Sequence, residues 1–329
     1  MPANLPPQYH EAEQRFRKAR LLPEKMAALQ EMLAIMPKHK GTDHLKAELR
    51  ARMAKLTEEL EMGSRSGGGR TQPFSLPKEG AGRAALVGLP NSGKSLLLAQ
   101  ATGAQARVAP YPFATKEPVP GMLRFENVRI QLVDTPSIND REVQTRLYGL
   151  LRTSDVLVVM ADLGADAASQ ARQVLAQLEE WGFQLLARDE EPDPDSLRPA
   201  KRVVLVGSKA DLPGAAAQFQ RLAAEYGTRF PVMMVSAAQV MGLEELAREV
   251  FRTLRVVRVY TKAPGREAER TEPIIMPVGS TVGEAAEKVH KQFRSMRYAV
   301  LWGPSGKFGG QRVGREHTLA DGDVVELHG

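Results

Sequence analysis

Between residues 82 and 257 short apolar runs alternate with stretches of helical periodicity. RAALVG, VRIQLVD, DVLVVMAD, KRVVLVGS and PVMMVSA are nearly continuous in Val, Leu, Ile, Met and Ala and stop at Gly, Asp or Ser, the pattern of strands covered on both faces. Between two of them AASQARQVLAQLEEWG spaces its apolar positions as a helix does. The alternation predicts an α/β domain built on a mostly parallel sheet with helices on both faces. RDEEPDPDSLRPA (188–200), polar and rich in proline, reads as a surface loop. Upstream, Met26, Leu29, Met32, Leu33 and Met36, then Leu45, Leu49, Met53, Leu56 and Leu60, mark two helices. Pro37, Gly41 and an N-cap at Thr42 or Asp43 separate them, so a helical hairpin is expected.

GSRSGGGR (63–70) cannot bury enough apolar surface to hold a fixed shape and reads as a flexible linker. After residue 257 the pattern changes. RVVRVYTK, PIIMPVG and YAVLWG read as strands, STVGEAAEKVHKQF as one helix opening on Ser280 or Thr281, and HTLADGDVVELH as a turn and a last strand. This predicts a small α+β unit around a mixed sheet. The expected division is a helical hairpin region over 1–62, a linker over 63–80, the α/β domain over 81–257 and the C-terminal unit over 258–329.

Composition narrows the chemistry. With 43% hydrophobic and 26% charged residues in 329, the chain is long enough for two or three cores. It has no cysteine, which excludes disulfides, zinc-thiolate sites and thiol nucleophiles, and its six histidines fall in no metal-ligand spacing. The first residues carry charges where a secretory signal needs an apolar run, and no stretch approaches the ~18 apolar residues of a membrane span, so a cytoplasmic protein without membrane contact is expected. A formal charge of +6 favours polyanionic partners without requiring them. Lys38, His39, Lys40, Lys46, Arg50, Arg52 and Lys55 on the hairpin can meet phosphates or simply be a solvated face balanced by Glu48, Glu58, Glu59 and Glu61.

The sharpest signal is RAALVGLPNSGKSLLLAQATG (83–103), where Gly88 and, four residues later, Gly93-Lys94-Ser95 sit between a strand and a helix. Glycines let the backbone N–H groups face phosphates, the helix start adds its positive end, Lys94 reaches the terminal phosphates and the Ser95 hydroxyl suits magnesium. The candidate phosphate-binding residues are Gly88, Pro90, Asn91, Ser92, Gly93, Lys94, Ser95 and Leu96. At the end of a later strand stand Ser208, Lys209 and Asp211. A carboxylate at 211 accepts from N1–H and the exocyclic amine of guanine, a pair adenine does not offer, while the Lys209 stem covers the ring face. Ser236 and Ala237, closing the next strand, offer backbone donors to the guanine O6. Ser208 is short for a position that usually holds Asn, whose amide braces this loop against the phosphate loop; weakened affinity with guanine selectivity retained is expected.

With GLPNSGKS, APYPFATKEPVPG, DTP and SKAD in this order, the middle of the chain resembles the Obg-like branch of translation-factor-type GTPases. The tail from YTKAPG to DGDVVEL looks like a TGS domain, and KHKGTDHLKAELRARMAKL is similar to the N-terminal helices of the developmentally regulated GTP-binding (DRG) family. The resemblance implies a Ras-like P-loop GTPase domain with an N-terminal helical hairpin and a C-terminal β-grasp, ubiquitin-like TGS domain, and association with ribosomes or RNA. It implies that Thr115 ligates magnesium and contacts the γ-phosphate, that Asp134 holds magnesium through water, and that Asn91 helps hold a potassium ion. The small domain that relatives insert between the switch aspartate and the base-reading loop has no room here.

DTPSIND (134–140) departs from the pattern. Ser137 replaces a glycine whose N–H approaches the γ-phosphate in a conformation a Cβ can forbid, and Ile138 cannot orient an attacking water. The leading expectation is a slow GTPase using magnesium, with potassium or a partner assisting. The rival is a GTP- or GDP-binding adaptor with negligible hydrolysis that docks RNA or protein through the hairpin and the TGS domain; an ATPase ranks third. In the tail, Lys288, Lys291, Arg294 and Arg297 form a candidate basic stripe, followed by Lys307, Arg312 and Arg315 in a loop, with Tyr298 and Trp302 as candidate base-stacking residues and strand alternation assigning one of the two to the core.

Overall fold

The computed structural model describes residues 5–19, 22–37, 42–62, 74, 76–104, 117–194, 196–268, 270–290, 293 and 296–328. The segment 105–116 with Thr115, Lys38 to Gly41, most of the expected linker, and Lys291 and Arg294 of the basic stripe lie outside them. The chain divides into two compact units, Met1–Met122 with Gln131–Thr253, and Leu123–Ile130 with Leu254–Gly329.

The first unit contains helices α1 (Pro7–Lys18), α2 (Leu22–Ile35) and α3 (Asp43–Met62). The hairpin of α2 and α3 follows the apolar periodicity, with Leu29, Met32 and Leu33 of α2 and Met36 just beyond it packing on Leu49. Helix α1 was not legible, because its contribution to that cluster rests on Tyr9, Ala12 and a half-buried Phe16 in an otherwise charged segment. Met26 of α2 and the isolated Phe74 both enter the core of the α/β layer, so part of the stretch expected to be a free linker is anchored.

That layer runs β1 (Arg83–Gly88), α4 (Lys94–Thr102), β2 (Val119–Phe125), β3 (Val128–Asp134), α5 (Gln144–Thr153), β4 (Val156–Asp162), α6 (Ala167–Glu180), β5 (Gln184–Leu186), β6 (Ala200–Ser208), α7 (Ala215–Tyr226), β7 (Val232–Met234) and α8 (Leu243–Thr253). The sheet order is β2-β3-β1-β4-β6-β5, with β7 also on β6, and β1 pairs in parallel with β3 and β4, as β6 does with β4, β5 and β7. Two strands escaped the sequence pattern. β2, VPGMLRF, carries Pro120 and Gly121, which is tolerated at the sheet edge; a Cβ at Gly121 would stand 2.2 Å from the Thr102 hydroxyl. β5 is three residues long. Among the described residues no additional domain interrupts the stretch from α5 to β6. Because the strands are parallel, Gly88, Asp134, Asp162 and Ser208 all lie at the carboxyl ends of their strands on one side of the sheet, where ligands of open α/β sheets bind.

The second unit is a five-stranded mixed sheet of β8 (Val256–Thr261), β9 (Ile274–Pro277), β10 (Tyr298–Trp302), β11 (Gln311–Val313) and β12 (Asp323–His328), ordered β11-β10-β12-β8-β9, with α9 (Val282–Val289). β8 and β12 are parallel and the other pairs antiparallel. Ala285 and Ala286 of α9 pack on Val259, Ala299, Leu301 and Val325. Thr281 starts α9 with a capping box, its hydroxyl accepting from Glu284 N while Glu284 Oε2 accepts from Thr281 N at 2.9 Å. The helix ends at Val289, short of its expected end, and Arg312, expected in a loop, lies on β11. Within this unit Arg258 donates to both carboxylate oxygens of Asp321, at 3.0 and 2.7 Å, and also pairs with Glu126. Asn127 donates to the Tyr260 hydroxyl at 2.7 Å.

Candidate nucleotide site

The turn after β1 is shaped by close approach. A Cβ on Gly88 would fall 2.7 Å from Ser92 Oγ and 2.8 Å from the Met160 carbonyl, so only glycine lets β1, β4 and the loop meet here. Gly93 caps α4 in the left-handed region at φ 85°, the conformation that turns the chain into the helix. Pro90 and Asn91 make the outer turn, with Asn91 exposed and itself left-handed at φ 60°. The first N–H groups of α4 therefore point from a loop that can close around an anion.

Lys94 folds back into this loop. Its ammonium donates to the Leu89 carbonyl at 2.9 Å and to the Gly88 carbonyl and Ser92 Oγ at 3.3 Å each. Burial pushes its pKa down to about 8, against the opposing pull of the Asp134 carboxylate. Asp134 closes β3, opposite Leu86, and accepts from Ser95 Oγ at 2.6 Å. This pair of hard oxygens fits a small divalent cation. Among the described residues no group of three His, Asp or Glu side chains could hold a metal, so magnesium here would take Ser95 directly, Asp134 at one remove and oxygens from the nucleotide.

Ser137 is accommodated. It stays out of the left-handed region, it is buried, and its hydroxyl lies 2.7 Å from Asn139 Oδ1 and 3.3 Å from the Gly88 carbonyl. The next residue ties the same two loops, Ile138 N–H donating to Gly88 O at 3.3 Å. The Ile138 side chain is 1% exposed and packs in the core, so it serves as a plug beneath the loop and orients nothing above it.

A cavity of about 170 Å³ joins the start of α4 to the base-reading loop, lined by Gly93, Leu96, Met160, Lys209, Asp211 and Ala238 among others. Of the candidate phosphate-binding residues Gly93 and Leu96 line this hollow, and of the candidate base-binding residues Ser208, Lys209, Asp211 and Ala237 do. Asp211 is aimed by Ser236, whose hydroxyl donates to Oδ1 at 2.5 Å and in turn accepts from Gln239 N at 3.1 Å. One expectation changes. The Ser236 N–H donates to the Met241 carbonyl at 3.0 Å, so its backbone is engaged within the loop and Ser236 reaches Asp211 through its side chain. Met160 and Ala238 were missed; Met160 is in register with Gly88 across β1 and β4, a pairing that no local pattern reveals.

On the second unit Tyr298 and Trp302 both avoid the core, where Ala299 and Leu301 are buried instead. Residues four apart on a strand share a face, which corrects the assignment of one aromatic to the interior. The Tyr298 ring stacks on His328 at 4.6 Å and lies under Arg312 at 3.6 Å, and Trp302 carries the Lys262 ammonium at 4.1 Å. Lys288 donates to the Ile275 carbonyl at 2.7 Å and Arg315 pairs with Glu287 at 3.0 Å, so one basic group of the stripe and one of the following loop already have partners.

Known proteins match this arrangement. A family model described as a 50S ribosome-binding GTPase covers residues 83–190, and a TGS domain model covers 257–328. A GTP-binding protein of Methanocaldococcus jannaschii is 27% identical over 363 residues, covering 92% of each chain. Developmentally-regulated GTP-binding protein 2 of Mus musculus is 26% identical over 365 residues, covering 92% of this chain and 98% of its own. Both alignments are longer than the 329-residue chain, so these relatives carry stretches without a counterpart here. Among solved structures the chain is similar to the FeoB G-domain of Methanococcus jannaschii, with TM-score 0.38 and 24% identity over 53% of this chain and 97% of that one. It is also similar to Era of Aquifex aeolicus, with TM-score 0.41 and 19% identity over 68% and 72%. With the Gly-rich loop after β1, Asp211 after β6 and the C-terminal mixed sheet all in place, the chain carries a GTPase domain and a TGS domain and is similar over 92% of its length to developmentally regulated GTP-binding proteins.

Proposed function

We infer that the protein hydrolyses GTP to GDP and phosphate with magnesium, slowly, and that this turnover serves a ribosome- or RNA-associated task. The observation that carries the reading is the hollow between the start of α4 and Asp211, which matches a phosphate-binding helix end to a carboxylate selecting guanine. In this reading Lys94 and the backbone from Gly88 to Leu96 take the phosphates, Ser95 and Asp134 take magnesium, and Thr115 completes the metal site from the segment before β2. Slowness follows from Ile138: a side chain sealed in the core leaves the water to be oriented by other means. A potassium ion at Asn91 is the candidate assistance, since Asn91 is exposed at the outer turn of the loop.

The 50S ribosome-binding description of the matching family and the +6 charge support the ribosome or RNA role. The exposed Phe308 is the aromatic group best placed for it, because Tyr298 is covered by His328 and Arg312 and Trp302 by Lys262. A cytoplasmic setting accords with the absence, among the described residues, of a helix long and apolar enough to cross a membrane.

Asp211→Asn tests the base reading: guanine nucleotides should bind about 100-fold less tightly, and xanthine nucleotides, which present a carbonyl at C2, should gain. Equal loss for every purine would defeat it. The burial of Ile138 also favours a second reading, a nucleotide-gated adaptor with negligible turnover. Phosphate release under single-turnover conditions separates the two: release stimulated by potassium over sodium supports the GTPase, and none in either salt supports the adaptor.

A further inference from the structure

A loop that reads a purine with one carboxylate must be held still, since a displaced Asp211 forfeits both hydrogen bonds together. Asn at position 208 would brace the loop through its amide, and Ser208 does not replace that brace. Its hydroxyl donates to the Ala161 carbonyl on β4 at 3.2 Å. Toward the phosphate loop it offers packing alone: a Cβ on Gly93 would lie 3.6 Å from Ser208 Cβ and 3.7 Å from its Oγ.

The neighbouring residue is held from another direction. Lys209 is left-handed at φ 58°, an uncommon state for a side-chain-bearing residue that needs support from its surroundings. Its ammonium lies 2.5 Å from Asp162 Oδ2 at the end of β4. Asp162 is itself fixed: Oδ1 accepts from Gly164 N at 2.8 Å, and the Gln170 amide of α6 grips its backbone, accepting from Asp162 N at 3.0 Å and donating to Asp162 O at 3.3 Å. The parallel register places Asp162 directly opposite Ser208, and Leu163 N–H donates to the Ser208 carbonyl at 3.0 Å. Lys209 lines the cavity and Asp162 stands behind it.

We propose that Asp162, oriented by Gln170, is a positioning residue for guanine-nucleotide binding: it draws the Lys209 ammonium onto β4 so that the lysine stem forms the wall against which the base lies. The strand next door thereby supplies the brace that Ser208 lacks. This rests on reading the cavity as the guanine pocket, and the two can fail separately.

The test is titration of the full chain with a fluorescent GDP in magnesium, with fluorescent ADP alongside. Asp162→Asn keeps the volume and an acceptor for Gly164 but removes the charge, and GDP binding should weaken about tenfold. In a Lys209→Met background the same change should add nothing, because the effect passes through the lysine. Asp162→Glu should recover part of the loss, and Ser208→Asn added to Asp162→Asn should recover more, by restoring the other brace. If Asp162→Asn does not fold, Gln170→Ala, which frees the Asp162 backbone, should weaken GDP binding in the same Lys209-dependent way. Unchanged GDP affinity in Asp162→Asn, or full additivity with Lys209→Met, overturns the proposal. Equal affinity of the unaltered protein for ADP and GDP overturns the guanine reading instead.

Discussion

At the scale of single residues the nucleotide site is defined by a lysine that the fold itself holds against its charge. Burial leaves Lys94 with a pKa of about 8, well below the ~10.4 of a free lysine. Between these values the unfolded chain binds more protons than the folded one, so the contribution of Lys94 to stability improves as pH rises through that window, and below about 8 the penalty is present in full. Lys201, buried with its ammonium on the Arg152 and Ser154 carbonyls and also lowered to about 8 by desolvation, adds in the same direction. Phosphates facing Lys94 raise its pKa again. Nucleotide binding near pH ~8.5 should therefore take up part of a proton, read by calorimetry in buffers of different ionisation heat. Affinity should also fall as the pH is raised further. A binding enthalpy indifferent to the buffer would contradict the placement of Lys94. Ser137 gives a different lesson. From sequence it was an anomaly, because a glycine was expected; in the fold its backbone has no need of the left-handed region, and its hydroxyl bridges Gly88 and Asn139.

Among the elements, α9 has the best-signalled start. The capping box of Thr281 and Glu284 satisfies two N–H groups that the helix cannot satisfy itself, and Thr281→Ala should cost about 1 kcal/mol in thermal or denaturant unfolding. An unchanged midpoint would mean that the packing of Ala285 and Ala286 alone holds the helix. Legibility tracked how strongly each element repeats one chemical signal. β1, β3, β4 and β6 are buried along most of their length and announce themselves as runs rich in Val, Leu, Ile and Ala, with Arg129 and Gln131 the interruptions in β3. β2 hides behind Pro120 and Gly121, β5 and β11 span three residues each, and α1 has too few apolar positions to show a period. Of the candidate site, the Gly-rich loop and Asp211 were legible because their signals, glycine spacing and a carboxylate after a buried strand, are local in the chain. Met160, Asp162 and Ala238 were not, because their roles come from sheet register and loop packing between segments distant in sequence.

For the whole molecule, the two tryptophans fall one in each unit, Trp181 in the core of the first and Trp302 on the sheet of the second. Nucleotide at 100 times its dissociation constant stabilises what it binds by about 2.7 kcal/mol. Trp302→Phe leaves Trp181 as the sole reporter, and its unfolding transition should move up on adding GDP and magnesium. Trp181→Phe leaves Trp302, whose transition should move less. Equal shifts in both would show that the units unfold as one. The second unit has its own reinforcement in Arg258, which gathers Asp321, Glu126 and Asn127 around one nearly buried guanidinium. Arg258→Met should lower the Trp302-reported stability by about 1 kcal/mol, since it removes a two-point pair with Asp321 whose carboxylate, like that of Glu126, stays in reach of solvent.

The amino-acid sequence by itself determined the class of the sheet, the Gly-rich loop from Gly88 to Ser95, the candidate base-reading carboxylate of Asp211 and the likeness to developmentally regulated GTP-binding proteins. Each of these depends on residues close together in the chain, whose geometry follows from glycine conformation, apolar period and helix ends. Only the tertiary structure decided that Ile138 is a core plug, that Ser236 braces Asp211 with its side chain, and that Asp162 holds Lys209. Those are contacts between neighbouring strands and loops, fixed by a parallel register that arises when the sheet assembles and that no single segment encodes.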